Sequence, residues 1–139
     1  MTVPFALRLP LALVALAIAA FMGVQLDAEH RLKDGRDAVN EGLPRGDQRR
    51  EDAIRELVDV ADVQPGTEAL LAASGARSAG GEVRRGAALA RRAVGREPDN
   101  FGAWLTLAIA LKDVDRPAAL NALERAHRLN PRYSVPALR

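Results

Sequence analysis

The 139-residue chain has no cysteine, two histidines and two lysines, and only 4% of its residues are aromatic. Without thiols there can be no disulfide framework, thiolate zinc site, iron–sulfur cluster or thiol nucleophile. The same absence leaves the redox compartment open, since a chain without thiols is at ease on either side of a membrane. His30 and His127 stand far apart in the chain, which leaves little for imidazole catalysis. The phosphate-loop, zinc-protease and serine-hydrolase patterns GxxxxGK[ST], HExxH and GxSxG are missing as well. Carboxylates are plentiful, but Asp59 and Asp62 read as the solvated face of an amphipathic helix, and His127 reads as a surface residue. The expectation is a chain that is not an enzyme and that holds no metal and no cofactor. Its length allows one small domain, or a domain with an appendage.

Lysine scarcity changes how the basic balance is read. Of 20 basic residues only Lys33 and Lys112 are lysine, and with so much alanine this matches a GC-rich coding bias. The net charge of +2 hides a gradient. Residues 27–68 hold 12 acids and 7 bases, whereas 77–96 hold six arginines against Glu82.

What the chain does have is one long uncharged run. Residues 9–26, LPLALVALAIAAFMGVQL, carry no charge for 18 positions, about the length that spans ~30 Å of hydrocarbon. Pro10 is tolerated in the first turn of such a helix. A chain this small cannot cover a helix that is apolar all round, so a transmembrane anchor over 1–26 is expected. Ala15-Leu16-Ala17 and Ala17-Ile18-Ala19 have the small-x-small form of a cleavage site. The apolar run continues past both, which favours an uncleaved anchor. Arg31, Lys33, Arg36 and Arg45 follow the span and by literal count favour a cytoplasmic C-terminal part. Asp27, Glu29 and the short N-terminal tail fit the opposite, signal-anchor topology. The expectation is a single-pass protein of a bacterial cell membrane with its C-terminal domain outside the cytoplasm.

After the span the chain reads as short helices with no alternating strand pattern. Pro65, Pro98 and Pro131 are spaced 33 residues apart, and each follows an amphipathic segment. Such a period marks a solenoid of helix pairs, each burying its apolar face on its neighbour. In the last unit Trp104, Leu107, Ala108 and Leu111 follow i, i+3, i+4, i+7 spacing. Asp99 or Asn100 can cap that helix, and Asp115 the next, with Pro117 in its first turn. Ala119, Leu123 and Ala126 form the buried stripe of the second helix.

These residues resemble the tetratricopeptide repeat family. Trp104, Leu107, Ala108 and Leu111 match its first-helix pattern, and Ala119, Leu123, Ala126 and Pro131 its second. The unit is one residue short, in the turn around Val114 to Pro117. In the unit from Thr67 to Pro98, Leu70, Ala73, Ser74, Ala90, Ala93 and Pro98 fit, but Arg77 replaces the large residue of the first helix. The unit before it keeps Ala53, Leu57, Val60 and Pro65, with its first helix drawn from residues 27–42 and a turn at Gly42 to Gly46. The expected fold is therefore all-α: an anchor (1–26), a juxtamembrane helix with a degenerate first repeat (27–66), tetratricopeptide-like repeats (67–131) and a tail (132–139). Two to three helix pairs are expected.

The resemblance implies protein docking on the first helices, through a groove formed here by Leu71, Leu105, Ile109 and Lys112. The Lys and Asn positions with which some family members hold a C-terminal carboxylate are Leu71, Gly75, Leu105 and Ile109, so that clamp is absent. An apolar groove suits a helical or apolar segment of a partner protein, although Leu105 and Ile109 could equally pack within the chain or against a second copy. Arg84, Arg85, Arg91 and Arg92 fall on one side of a helix, opposite Val83, Ala87, Ala90 and Val94. They read as a solvated face or as a basic strip for an acidic partner or anionic lipid. Nucleic acid is disfavoured because no aromatics interleave with the arginines. Expected partners are thus protein, the lipid bilayer and, through an exposed apolar end of the last unit, a second copy. The functional expectation is docking or assembly at a membrane. The alternative is an accessory subunit of an envelope enzyme or biogenesis system, for polysaccharide or cytochrome assembly.

Overall fold

A computed structural model describes residues 5–41, 44 and 46–133. Among them the chain is all-α, with no strand: α1 (Phe5–Asn40), α2 (Gln48–Val63), α3 (Glu68–Ala79), α4 (Val83–Arg96), α5 (Phe101–Leu111) and α6 (Arg116–Leu129). The helices α2, α5 and α6 start where short polar side chains satisfy free amides. Asp47 accepts from the Arg49 amide at 2.8 Å, Asn100 from Ala103 at 3.2 Å and Asp115 from Ala118 at 3.1 Å. Of the two expected caps for α5, Asn100 is therefore the one used. The helices α2, α4 and α6 stop at Val63, Arg96 and Leu129, each two residues before a proline of the 33-residue series. The helix α3 includes Ser78 and Ala79 and gives way to Gly80 and Gly81.

Each helix packs on the next in the chain, and α3 also touches both α1 and α5. The backbones of α2, α4 and α6 do not approach one another, although Arg92 and Arg96 of α4 reach Asp62 and Ala61 of α2. Pairs close on small residues. A Cβ on Gly35 would lie 2.9 Å from Leu57 Cγ, and one on Gly86 would lie 2.9 Å from the Ser74 carbonyl oxygen. Buried Ala108 and Ala119 hold the corresponding places in α5 and α6. One apolar cluster joins Ile54, Leu57 and Val60 of α2 to Leu70 and Ala73 of α3, and a second joins Leu107 and Leu111 of α5 to Ala119 and Leu123 of α6. The expected stripe residues Ala53, Ser74, Ala90, Ala93, Ala108 and Ala126 are all buried.

Arginines finish what the small residues leave open. Arg50 of α2 is buried and donates to the Ala76 carbonyl in the last turn of α3. Arg96 of α4 donates to the Ala61 carbonyl in the last turn of α2. The Ala61 carbonyl faces Pro65 at i+4, which has no N–H to offer, so Arg96 supplies the missing donor. The Ala76 carbonyl already accepts from the Gly80 amide, and Arg50 adds a second donor at the negative end of the α3 dipole.

The helix α1 runs without interruption across the expected boundary at residue 26. From Ala28 onward it packs on α2, whereas Leu16, Ile18, Phe21, Met22, Val24 and Leu26 are all exposed. At 100° per residue those six positions surround the helix rather than marking one face. Among the described residues no helix is long and apolar enough to cross a membrane. The expected anchor falls largely on residues 1–4 and on the side chains of 5–13 and 15, which lie outside the described residues, as do Gly42, Leu43, Arg45 and residues 134–139 of the tail.

Candidate functional site

The first helices of the three pairs form a row, α1–α3–α5, and their sequences give that row two flanks. On α3, Leu70, Ala73 and Ser74 turn inward, leaving Leu71 half-buried and Gly75 exposed. On α5, Leu107, Ala108 and Leu111 turn inward, leaving Leu105 half-buried and Ile109 51% exposed. The offset between the two helices is 34 residues, so Leu71 corresponds to Leu105 and Gly75 to Ile109. The Leu71 side chain also lies over the start of α5, 3.8 Å from where a Cβ on Gly102 would sit. Three of the four expected groove residues are therefore on one flank.

The fourth, Lys112, follows Leu105 and Ile109 at i, i+4, i+7 spacing and so shares their face at the end of α5. It is exposed, its ammonium 3.9 Å from Asp113. Two further basic groups on this side are Arg36 and Arg50, around a cavity of about 460 Å³ whose walls include Val39, Asn40, Leu71 and Gly75. Arg50 is committed to the end of α3, whereas Arg36 is exposed and forms no ion pair among the described residues. Gly75 contributes space, with nothing within 4 Å of a Cβ built on it. The cavity therefore combines an apolar wall with a cationic mouth. Sequence reasoning passed over Arg36 because the groove register was not extended to α1. The close contacts of Gly35 and Ser74 align α1 with α3 and bring Arg36 level with Gly75.

The basic strip on α4 is only partly free. Arg84, Arg85, Arg91 and Arg92 are all exposed, but Arg85 bonds to Glu82 at 2.5 Å and Arg92 to Asp62 at 2.6 Å. All four members of the expected strip thus stay exposed, two of them sharing acidic residues of α2 and of the turn before α4. Arg84 and Arg91 make no ion pair among the described residues. Arg77, where the family pattern has a large apolar residue, bridges Glu51 at 2.5 Å and Glu82 at 2.7 Å. The hydrogen bond from Arg77 holds the Glu82 carboxyl below its ordinary value of 4.5, against partial desolvation and with help from Arg85.

Trp104 of the repeat signature is half-buried, and its indole N–H donates to the Pro98 carbonyl at 2.7 Å. Apolar exposure at the last pair is scattered over Ile109, Val114 and Leu120, and the rest of the outer face of α6 carries Asn121, Glu124, His127 and Arg128. Phe101 and Tyr133 close the pair with an edge-on ring contact, centroids 4.8 Å apart. Asp59, Asp62 and His127 are exposed, and among the described residues no three His, Asp or Glu side chains converge as metal ligands.

No protein-family model matches the chain and no curated protein matches it, so the tetratricopeptide resemblance rests on the residues themselves.

Proposed function

We propose that the chain is a non-catalytic docking protein, held at a membrane by the first part of α1, with tetratricopeptide-like helix pairs that receive a partner protein. The observation that carries the docking reading is the uncovered flank of α3 and α5, where Leu71 lines the cavity beside Arg36 and Leu105 and Ile109 of α5 stay partly exposed. An apolar wall with one free guanidinium suits an apolar or helical segment carrying an acidic residue. The anchor reading draws on the uncharged run of residues 9–26 and on Leu16, Phe21 and Val24, which no other helix covers. Each such side chain left in water forgoes about 1.5–3 kcal/mol of burial, and a bilayer supplies that burial without a protein neighbour. The C-terminal pairs are placed outside the cytoplasm of a bacterial cell membrane.

The test is affinity purification of the full chain from membranes in mild detergent, with and without Leu105→Glu and Ile109→Glu. A stoichiometric protein lost in the double variant, whose helicity is unchanged, supports the reading. Recovery of the same proteins by both forms, or of none by either, overturns it.

A further inference from the structure

On the other flank of α5 the fold leaves a second cleft, which the docking reading does not use. The helices α4 and α6 both pack on α5 without packing on each other. Between them a groove of about 340 Å³ has half-buried Trp104 and Ala118 as its accessible floor, over buried Leu107 and Leu111, and three arginines at its edges, Arg91 from α4 and Arg125 and Arg128 from α6. No carboxylate lines it. Arg91 has no ion pair among the described residues. Arg125 and Arg128 hold single exposed acids, Asp99 at 3.3 Å and Glu124 at 2.6 Å. Exposed pairs of that kind contribute little and exchange readily. The indole is fixed by its bond to Pro98, so the floor is pre-ordered.

We propose that this groove docks an acidic amphipathic helix of a partner protein, its apolar stripe on Trp104 and Ala118 and its carboxylates on Arg91, Arg125 and Arg128. Charge complementarity selects the occupant: three guanidinium groups from two helices face a cleft that holds no acid of its own. Two helices that flank a third and do not meet leave a trough that takes another helix along its axis. A lipid headgroup would use the arginines and leave the floor unfilled. The partner is thus distinguished from an apolar segment on the Leu105 flank by its negative charge and by its contact with the indole.

Trp104 is the one tryptophan of the chain, so its emission reports on this groove alone. The full chain in nanodiscs of neutral lipid is titrated with a tryptophan-free model helix bearing a leucine stripe flanked by glutamates, and with the same helix carrying lysine for glutamate. The expected result is a saturable blue shift with the acidic helix and none with the basic one. Arg91→Glu and, separately, Arg128→Glu should weaken binding about tenfold, while Arg84→Glu on the same helix, outside the groove, should change it about twofold or less. Circular dichroism identifies any variant that fails to fold, and the other rim variant then carries the comparison. No shift with the acidic helix, equal shifts with both helices, or equal weakening by Arg84→Glu would overturn the proposal. So would a shift produced only by vesicles of anionic lipid, or one that grows with protein concentration without peptide, which would assign the groove to lipid or to a second copy.

Discussion

The Ser74 hydroxyl donates to the Gly86 carbonyl at 2.8 Å, bonding α3 to α4 where the two backbones meet. Both residues are buried, and a Cβ at position 86 would collide with Ser78 Oγ and lie 2.9 Å from the Ser74 carbonyl. The crossing thus depends on the absence of one methyl group.

Gly86→Ala should destabilise the protein by about 1–3 kcal/mol, although alanine is the better helix former by ~1 kcal/mol. Gly95, on the same helix with nothing within 4 Å of its Cβ position, provides the control. Gly95→Ala should raise stability by up to about 1 kcal/mol. Denaturant unfolding followed by circular dichroism separates the two, and equal effects would refute the close-crossing argument. Ser78 Oγ is buried with no hydrogen-bond partner among the described residues. Ser78→Ala should therefore recover part of the Gly86→Ala loss in a double-mutant cycle.

Asn100 caps α5 but also donates to Thr67 Oγ1 at 3.1 Å and to Glu97 at 2.7 Å, and buried Thr67 donates to Glu97 at 3.1 Å. Asp115 caps α6 from an exposed position. Asn100→Ala should cost about 1–2 kcal/mol and Asp115→Ala at the lower end of the usual cap range, about 0.5–1 kcal/mol. The ranking is read from paired unfolding midpoints.

Legibility in the sequence followed the range of the interaction. The stops of α2, α4 and α6 were visible from Pro65, Pro98 and Pro131, and the caps Asn100 and Asp115 from their own neighbourhoods, because helix ends are decided within a few residues. Arg77 was visible only as a mismatch. Its partners Glu51 and Glu82 lie 26 and 5 positions away, and only the packing of α3 against α2 brings the first of them near. Arg36 and Arg50 stayed hidden for the same reason, since the cavity they line exists only once α1, α2 and α3 are superposed. The docking flank itself was half legible. The periodicity that assigned Trp104 and Leu107 inward left Leu105 and Ile109 outward, but it set no register for α1 and so did not bring in Arg36 at the cavity mouth.

Acidification should weaken the α2–α3–α4 contact through Glu82. Its folded-state pKa is depressed, chiefly by the bond from Arg77, so the stabilisation is fully present above the ordinary value of 4.5. It is lost as pH falls from there through the lower folded-state value. Glu82→Gln should flatten the fall in unfolding midpoint in that acid range and leave the midpoint less dependent on pH below 4.5. An identical acid profile for both forms would contradict the Arg77–Glu82 assignment.

The uncovered residues of α1 predict how the chain partitions. The full chain should stay with membranes through an alkaline carbonate wash. Leu16→Glu with Phe21→Glu should release a large fraction, because each charge at the centre of a span costs about 2.5–3.5 kcal/mol. Release of the unaltered chain by the same wash would remove the anchor from the account.

The central claim is that the flank of α3 and α5 receives a protein segment. Its most direct measurement is photo-crosslinking in intact membranes from a photoreactive residue at position 109, compared with one at position 55 on exposed α2. The account predicts a discrete protein adduct from position 109, absent from position 55 and lost with Leu105→Glu. No adduct from position 109, or the same adduct from both positions, would contradict it.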